Sequence, residues 1–354
     1  MLYSKGAARV KSNHFSLKMT TSTALARRRV GIASVYRIPS LIATQRGTLL
    51  ATYECRASEN DWESRALAMR RSTDHGITWS TVMQMAQNDN LTVHNPTQIA
   101  SKSGKIYYFY QLDYARTFLQ ISEDDGIHFS AVREITDAFE GFRAHFPFTV
   151  CAVGPGHGLE TPNGRLILPI WLASDPARQH FPSRSATLYS DDGGKTFHCG
   201  ELVPLPLNAP GTSECCLAQC EHGFVLNLRH QGATHMRAIA FSPDGISRWS
   251  VPEYAPQLPD PGCFASIAAF DNTHFYCGCL HESQRCNLEI LQNVSTETRS
   301  DWRKLIRLAA SGGYADLALS PDNRMLYCFY EQDNLDRLSF SAFELHKNEE
   351  YRHD

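Results

Sequence analysis

The feature that most constrains this 354-residue chain is an octet of turn-forming residues that recurs along it. Clear copies read STDHGITW at residues 72–79, SEDDGIHF at 122–129 and SDDGGKTF at 190–197. Two degenerate copies, SPDGISRW at 242–249 and STETRSDW at 295–302, keep the first Ser and the last Trp but lose the glycine at the fifth position. Successive octets start 50, 68, 52 and 53 residues apart. Such a period is typical of an array of supersecondary units, none of which buries its apolar face alone.

Short apolar runs of strand length lie between the octets and are bounded by Gly, Pro, Asn and Asp. They include KIYYFYQL, RLILPIWL, GFVLNLR, HFYCGCL, MLYCFYE and LSFSAFEL. No convincing long amphipathic helix stands between them. About four strands fit each period, which favours a propeller blade over a sandwich hairpin. The chain length divided by the repeat then predicts an all-β fold, a six-bladed β-propeller of four-stranded antiparallel sheets.

The octet itself predicts a tight turn between two strands. Its Asp can accept backbone N–H bonds, its Gly can adopt the left-handed conformation, and the closing Trp or Phe can pack under the turn. A calcium loop is the alternative, but the octet lacks the alternating carboxylates and the terminal Glu that such a loop needs. We therefore expect a structural staple without a bound metal.

The two ends of the chain differ from its middle. Residues 1–30 contain seven Lys and Arg but no Asp or Glu, a composition shared by transit peptides and by solvated extensions. We predict a basic, flexible extension over residues 1–30, one β-domain over 31–346 and a polar tail over 347–354. The run LSFSAFEL near the C-terminus is expected to pair with a strand from the N-terminal region, which would remove a sheet edge.

Charge and cysteine content narrow the class of protein. A net charge of −3 argues against nucleic acid or an anionic membrane as the main partner. The 11 cysteines have neither zinc spacing nor a disulfide-framework pattern, so we expect small buried side chains in a reducing compartment. The sequence shows no membrane span and no secretory signal core. We expect a cytoplasmic protein without metal or other cofactor, although the basic N-terminal segment leaves organelle targeting open.

Three arginines stand at the ends of strand-like runs: Arg37 in YRIPSL, Arg229 in VLNLRH and Arg285 in ESQRCNL. A charge in such surroundings needs a partner or a ligand. The inner strands of a propeller end at one mouth, so the three side chains can converge there. A carboxylate accepts bidentate bonds from one planar guanidinium and further bonds from two more. The pattern predicts a strong site for a carboxylate anion.

Several further motifs accompany the arginines and the octets. They are ECRASEND, HNPT, AVGPGHG, SECCLAQCEHGFVLNLR, SQRCNLE, GGYADLAL and FYE. Asp61 lies 24 residues after Arg37, Glu214 lies 15 residues before Arg229, and a Tyr-x-Asp-Leu motif follows the third arginine. With these motifs the chain resembles the sialidases (exo-α-neuraminidases) of bacterial and animal type over nearly all of residues 31–345. That resemblance implies a six-bladed propeller in which the octets are Asp boxes.

The resemblance also implies catalytic roles. Asp61 would be the acid/base, Tyr314 the nucleophile and Glu214 the base that activates it. Sialidases are an exception among retaining glycosidases because their nucleophile is a Tyr. Sialic acid carries a carboxylate on its anomeric carbon, which would repel an anionic nucleophile but not a neutral phenol. Glu214 could take the phenol proton during attack, while Asp61 protonates the leaving oxygen and later deprotonates water.

A substrate-binding set follows from the same resemblance. Its members are Arg37, Arg229, Arg285, Arg56, Asn95 and Trp171. The first three would hold the substrate carboxylate. Arg56 would contact the sugar near its fourth carbon, and Trp171 would face the glycerol tail.

Three functions are compatible with the sequence. The leading hypothesis is a retaining exo-α-sialidase that releases terminal sialic acid from oligosaccharides, glycoproteins or glycolipids. A trans-sialidase, or a hydrolase of a related nonulosonic acid, would use the same covalent intermediate. A catalytically silent, glycan-binding propeller is the alternative from a different class, and the joint presence of Asp61, Glu214 and Tyr314 speaks against it.

Overall fold

The computed structural model describes residues 14–174, 180–270, 273–293 and 301–348, and these are almost entirely β-structure. The described ranges contain two 3-10 helices, Asp61–Glu63 and Thr136–Ala144. The prediction of an all-β fold is confirmed. No helix in these ranges has the length and apolar composition to cross a membrane.

The strands in the described ranges form five hydrogen-bonded sheets. The first sheet consists of β2 (Val35–Ala43), β3 (Leu49–Arg56), β4 (Ser64–Ser72) and β5 (Met83–Gln87). The second consists of β11 (Gly156–His157), β6 (Val93–Ala100), β7 (Ile106–Leu112), β8 (Arg116–Ser122) and β9 (Arg133–Glu134). The third consists of β10 (Val150–Val153), β13 (Leu166–Ala173), β14 (Ser183–Ser190) and β15 (His198–Cys199), with β12 (Leu159–Glu160) also paired to β13.

The remaining strands form a four-stranded and a seven-stranded sheet. The fourth sheet consists of β16 (Thr212–Cys220), β17 (Gly223–His230), β18 (Met236–Ser242) and β19 (Glu253–Pro259). The fifth consists of β1 (His14–Arg27), β25 (Arg337–Asn348), β24 (Met325–Gln332), β23 (Trp302–Leu319), β22 (Cys286–Asn293), β21 (Thr273–Cys279) and β20 (Ser266–Phe270). Pairing is antiparallel throughout the described strands except between β11 and β6.

The long strand β23 divides the seven-stranded sheet into two sections. Its first part pairs with β22 from Trp302 to Ser311, and its second part pairs with β24 from Gly312 to Leu319. Each section therefore has four strands, β20 to β23 and β23 with β24, β25 and β1. Contacts between sheets link β2 to β6, β13 to β16, β16 to β20 and β23 back to β2.

The structure corrects the prediction for the N-terminal region. Residues 14–27, which were expected to be part of a flexible extension, form β1 and pair with β25 along its length. Phe15 and Leu25 on this strand are buried. The segment is rich in Ser, Thr and Lys, so its composition does not predict a strand that buries two apolar side chains. Pairing with β25 stabilises the strand, and composition alone does not indicate this pairing. The expected pairing of LSFSAFEL with an N-terminal strand is confirmed.

The octets form the expected turns. In the first octet, Asp74 Oδ1 accepts hydrogen bonds from Ser72 Oγ at 2.8 Å and from Thr78 N at 2.9 Å, and Asp74 Oδ2 accepts one from Thr78 Oγ1 at 2.5 Å. Gly76 has a φ of 86°, and its N–H donates to Ser72 Oγ at 2.9 Å. Trp79 Nε1 donates to the carbonyl of Gly76 at 3.0 Å. The Asp carboxylate is thus occupied by donors of its own loop.

The degenerate fourth octet keeps this hydrogen-bond pattern. Asp244 Oδ1 accepts from the N–H of Ser247 at 2.8 Å, and the N–H of Gly245 donates to Ser242 Oγ at 2.9 Å. The loop is one residue shorter between Ser and Gly, which is why the glycine is missing from its usual position. The fifth octet lies outside the described residues, apart from residues 301 and 302.

Candidate active site

Tyr314, Glu214 and Arg229 form a hydrogen-bonded group contributed by three strands, β23, β16 and β17. The Tyr314 hydroxyl lies 2.7 Å from both carboxylate oxygens of Glu214 and donates to that carboxylate. Arg229 donates to Glu214 Oε2 at 2.6 Å and to the Tyr314 oxygen at 3.0 Å. Burial, and then the neighbouring negative charge of Glu214, raise the pKa of Tyr314 well above its usual value. The phenol therefore stays protonated beside an acceptor for its proton.

Irregular strand pairing accompanies the site residues and changes the direction in which their side chains point. Register shifts occur in β2 directly after Arg37, in β16 across Glu214 and in β23 across Tyr314. A β-bulge re-aims a side chain relative to the regular alternation of a strand. Ile38 has a φ of 56° and Asn95, at a similar shift in β6, has a φ of 49°. These are unusual backbone conformations for such residues, and they cluster here.

All three arginines predicted to bind a carboxylate contact Tyr314. The guanidinium carbons of Arg37 and Arg285 lie 5.3 and 5.2 Å from the centroid of its ring. Arg229 is hydrogen-bonded to its hydroxyl. The convergence expected from the sequence is therefore present in the structure, although the three arginines come from distant parts of the chain.

Glu331 holds Arg37 in place. Its carboxylate accepts from Arg37 Nε at 3.0 Å and from Arg37 Nη2 at 3.3 Å, and it also accepts the N–H groups of Ile38 and Tyr314 at 3.1 and 3.0 Å. Burial acts to lower the pKa of Arg37, but Glu331, Tyr314 and Asp61 together outweigh burial and raise the pKa. The FYE motif ends at Glu331, but the sequence indicated no role for this residue. The structure makes it the carboxylate that ties an arginine to the backbone beside the tyrosine.

Asp61 begins the first 3-10 helix at the rim of the site. The helix is capped by Asn60, whose side-chain oxygen accepts the N–H of Trp62 at 2.9 Å. Asp61 Oδ1 lies 2.6 Å from Arg56 Nη1 and 3.5 Å from Arg37 Nη1, and the side chain is 47% exposed. Burial alone would raise the pKa of Asp61, but the charges of Arg56 and Arg37 lower it to about 2.

One pocket of about 110 Å³ joins these groups. It is lined by Arg37, Ile38, Asp61, Tyr114, Trp171, His180, Ser213, Glu214, Arg229, Gln231, Arg285 and Tyr314. Seven of the nine residues predicted from the sequence are in this lining. Arg56 and Asn95 are the two that are not.

Arg56 and Asn95 lie behind the pocket wall. Arg56 is fully buried and is paired with Glu54 as well as with Asp61. Asn95 is also buried, with its N–H donating to Glu54 at 2.8 Å and its side-chain nitrogen donating to the carbonyl of Val153 at 3.1 Å. In this structure the two residues support Asp61 and the surrounding backbone, and they do not line the cavity.

An aromatic wall that sequence analysis did not identify closes one side of the pocket. Trp171 lies 5.8 Å from Tyr114 and 5.2 Å from His180, measured between ring centroids. Trp62 stacks on His180 at 5.8 Å. Tyr114 and His180 have φ values of 55°, a backbone feature that no sequence motif signals. Trp171 was the one member of this wall that the sequence indicated.

Comparisons with known proteins identify the family to which the chain belongs. The profile of the BNR repeat-like domain family matches residues 81–328, and that of the BNR/Asp-box repeat matches residues 70–81. Mouse Sialidase-3 is 26% identical and covers 88% of this chain and 91% of its own length. The chain belongs to the sialidase family.

Other relatives of this sialidase-family chain are longer. Mouse Sialidase-4 is 30% identical over 69% of the chain, and the chain spans 55% of the length of that relative. Among solved structures, Hadza microbial sialidase Hz136 has a TM-score of 0.74 at 21% identity and covers 89% of this chain and 66% of its own. The complex of Trypanosoma rangeli sialidase with the inhibitor DANA has a TM-score of 0.73 at 17% identity, covering 91% and 59%. At these identities the structural likeness concerns the fold.

Proposed function

We propose that this sialidase-family chain is a retaining exo-α-sialidase that releases terminal sialic acid from glycans through a tyrosyl-enzyme intermediate. The observation that carries the proposal is the contact of the Tyr314 hydroxyl with both Glu214 oxygens at 2.7 Å, within a group of three arginines. A nucleophile beside a base, with the base oriented by a third group, is the arrangement that covalent catalysis needs. Here Arg229 orients Glu214.

The arginines supply the substrate-binding half of the proposal. Arg37 and Arg285 flank the Tyr314 ring, and Arg229 contacts its hydroxyl. A substrate carboxylate bound among three planar guanidinium groups places the carbon that bears it next to the phenol oxygen. That carbon is the anomeric carbon of sialic acid. Binding of the carboxylate therefore also positions the anomeric carbon for attack by the phenol oxygen.

Asp61 would act as the general acid for the leaving oxygen. Its pKa of about 2 keeps it ionised at neutral pH. A substrate carboxylate at Arg37 would offset the cation that lies 3.5 Å from Asp61 and so raise the pKa of Asp61. The acid would thus gain its proton when substrate is present, and as a carboxylate it would later activate water.

The proposal includes a six-bladed arrangement of the sheets. Support comes from dividing the seven-stranded sheet at β23, which leaves six four-stranded or larger units in chain order. The contacts that link the sheets in succession and return from β23 to β2 are those of a closed ring. Pairing of β1 with β25 would be the closing seam, so the catalytic domain is proposed to include β1.

A reducing compartment such as the cytoplasm is proposed for this domain. None of the eleven cysteines forms a disulfide in the structure, and eight of them are buried. Substrates in that location would be sialylated oligosaccharides, glycoproteins or glycolipids accessible to a protein in solution.

The decisive experiment for the activity is release of a fluorescent phenol from its α-sialoside by the purified protein. An exo-sialidase liberates the phenol and free sialic acid, and Asp61→Asn slows the release of a poorly acidic leaving group more than that of the phenol. Adding a galactoside acceptor separates hydrolysis from transfer, because a trans-sialidase forms a new sialoside. A protein that binds the sialoside but releases no phenol would contradict the proposal and support the glycan-binding alternative.

A further inference from the structure

A second group of potential metal ligands lies deeper in the molecule than the candidate active site. His157 on β11, Cys216 on β16 and Asp316 on β23 each offer one ligand atom, and these atoms lie within 4.8 Å of one another. Cys216 and Asp316 are buried, and His157 is 14% exposed. The three residues are far apart in sequence, so ligand spacing along the chain could not reveal the group.

Asp316 fixes the orientation of the His157 ring. Asp316 Oδ1 accepts from His157 Nδ1 at 2.7 Å and from Ser266 Oγ at 2.9 Å, and Asp316 Oδ2 accepts the N–H of Leu41 at 2.8 Å. With its Nδ1 proton donated to Asp316, the imidazole directs Nε2 toward Cys216 Sγ, which is 4.0 Å away. Burial lowers the pKa of His157, but Asp316 and Cys216 raise it well above its usual value, so a cation bound at Nε2 displaces a proton from the ring. A carboxylate behind a histidine is the arrangement that orients and strengthens metal-binding imidazoles.

A cavity of about 290 Å³ gives access to this group. His157 lines it, together with Leu217 and Leu317, which directly follow Cys216 and Asp316. Two strands that border the cavity also carry the proposed catalytic pair, Glu214 near the start of β16 and Tyr314 in the second part of β23. The cysteine and the aspartate therefore lie between the cavity and the proposed catalytic pair, two residues beyond that pair on each strand.

We propose that Cys216 and His157 bind a thiophilic divalent cation of the Zn²⁺ class, that Asp316 orients His157 for it, and that its binding lowers sialidase activity. Zinc bonds of about 2.3 Å to sulfur and about 2.0 Å to nitrogen place the two ligand atoms roughly 3.6 Å apart in a tetrahedral site. The present 4.0 Å requires a small approach of the two side chains. The Cys216 thiol and His157 Nε2 each lose a proton to solvent as the S–Zn and N–Zn bonds form. Water from the cavity completes the coordination.

The inhibitory effect follows from the strand connections. Drawing Cys216 toward His157 shifts β16 two residues from Glu214, while β23, which carries Tyr314, stays tied to His157 through Asp316. The catalytic contact of 2.7 Å between Glu214 and Tyr314 spans these same two strands. A displacement of one strand against the other disturbs proton transfer, so kcat falls, while Arg37 and Arg285 lie outside β16 and the strand paired with it. This part of the inference rests on the proposed function.

The test measures metal binding and activity separately. Chelator-treated protein is titrated with Zn²⁺ by calorimetry, and Co²⁺ replaces Zn²⁺ to give the absorption band of a thiolate-bound metal. We expect one ion per chain for the wild type and unchanged binding in Cys199→Ser. Binding should weaken in Cys216→Ser and in His157→Gln by at least the roughly 10–100-fold that loss of an outer partner of a metal ligand costs. Cys199 is a matched control because its partly buried thiol lies against backbone groups, with Sγ donating to the carbonyl of Ala138 at 3.1 Å.

Activity is followed over the same range of Zn²⁺ concentrations. The chelator-treated wild type is expected to be fully active and to lose kcat as Zn²⁺ binds, whereas Cys216→Ser keeps its activity. Absence of a Co²⁺–thiolate band in the wild type would overturn the site, and this result does not depend on the folding of any variant. Equally tight Zn²⁺ binding by folded Cys216→Ser would overturn it as well. Binding without loss of kcat would overturn the coupling. An inactive protein that binds Zn²⁺ as expected contradicts the proposed function and leaves the metal site standing.

Discussion

Asp61 provides a residue-scale prediction about pH. A carboxyl group whose pKa is lower in the folded state stabilises the fold above its unfolded pKa and loses that contribution as pH falls through the folded value. Burial opposes ionisation of Asp61, but Arg56 and Arg37 lower its pKa from 3.8 to about 2. The stability difference between wild type and Asp61→Asn should therefore shrink as pH falls from 3.8 to about 2.

Thermal unfolding across this pH range measures that difference. Asp89→Asn, at an exposed carboxylate away from any arginine partner in the structure, serves as the control and should show no comparable change. A constant difference between wild type and Asp61→Asn at every pH would contradict the proposed pairing of Asp61 with the two arginines.

Arg285 gives a second prediction at the residue scale. Replacing it with Lys keeps the charge but removes the planar fork that grips a carboxylate. We expect a loss of about 2–5 kcal/mol in transition-state binding, read from kcat/KM, the range found when one member of a buried charge pair is removed. Arg324→Lys, at a side chain that is 85% exposed in a turn, is the matched control. Near-normal kinetics in Arg285→Lys would contradict the proposed role of Arg285 in binding the carboxylate.

The octet turns can be tested at the scale of an element. Gly76 has a φ of 86°, and a Cβ there would overlap the ring of Phe340. Gly104 has a φ of 87° in another turn, where a Cβ would meet no atom within 4 Å. We expect Gly104→Ala to cost about 1–2 kcal/mol from backbone strain alone. Gly76→Ala should cost about 1–3 kcal/mol more because overpacking is added.

Urea unfolding of the two alanine variants gives the comparison. A larger loss in Gly76→Ala supports the packing of the first octet against the strand that carries Phe340. Equal losses would mean that the octet is a turn without a packing role, in disagreement with the staple interpretation.

The strands that the sequence predicted well are those with strong apolar character. KIYYFYQL, GFVLNLR and MLYCFYE correspond closely to Ile106–Leu112, Gly223–His230 and Met325–Gln332. Such runs are buried on both faces, and their length and apolar composition leave little doubt that they are strands. The polar strand His14–Arg27 was missed because its order comes from pairing with the C-terminal strand, a contact between residues more than 300 positions apart.

The candidate site divides in the same way. The residues that act through their chemical type, such as Tyr314 and Glu214, were found through the family motifs. Tyr114 and His180 were missed because their place at the pocket depends on left-handed backbone conformations, which motifs do not encode. Arg56 was predicted to contact the sugar, but its burial and its contact with Asp61 place it behind the pocket wall.

At the scale of the whole molecule, β1 is expected to be part of the folded domain. Phe15 is 5% exposed and packs edge-on against Phe270 and Phe275, with ring centroids 5.3 and 5.9 Å away. Phe15→Ala should destabilise the protein by about 3–5 kcal/mol, as is usual for buried phenylalanines. Met19→Ala, on the same strand but 46% exposed, should change the stability little. Equal and negligible effects in unfolding experiments would mean that β1 does not contribute to the fold.

The site itself is a property of the complete arrangement of sheets. Its lining comes from the first, third, fourth and fifth sheets, and from the connection in which Tyr114 lies. No single sheet carries both the nucleophile and the acid that the proposal assigns. Activity should therefore disappear in the same cooperative transition in which the domain unfolds.

The account depends most directly on Tyr314 as the nucleophile. Tyr314→Phe removes one oxygen and leaves a ring of nearly equal volume, and Glu214 keeps its bond to Arg229 at 2.6 Å, so the fold should survive. Proton NMR of the first product formed from an α-sialoside is the decisive measurement. We predict that the wild type releases the α-anomer by double displacement and that Tyr314→Phe loses this retaining route and most of its rate. A folded Tyr314→Phe protein with an undiminished rate and the same α-anomer would contradict the proposed mechanism.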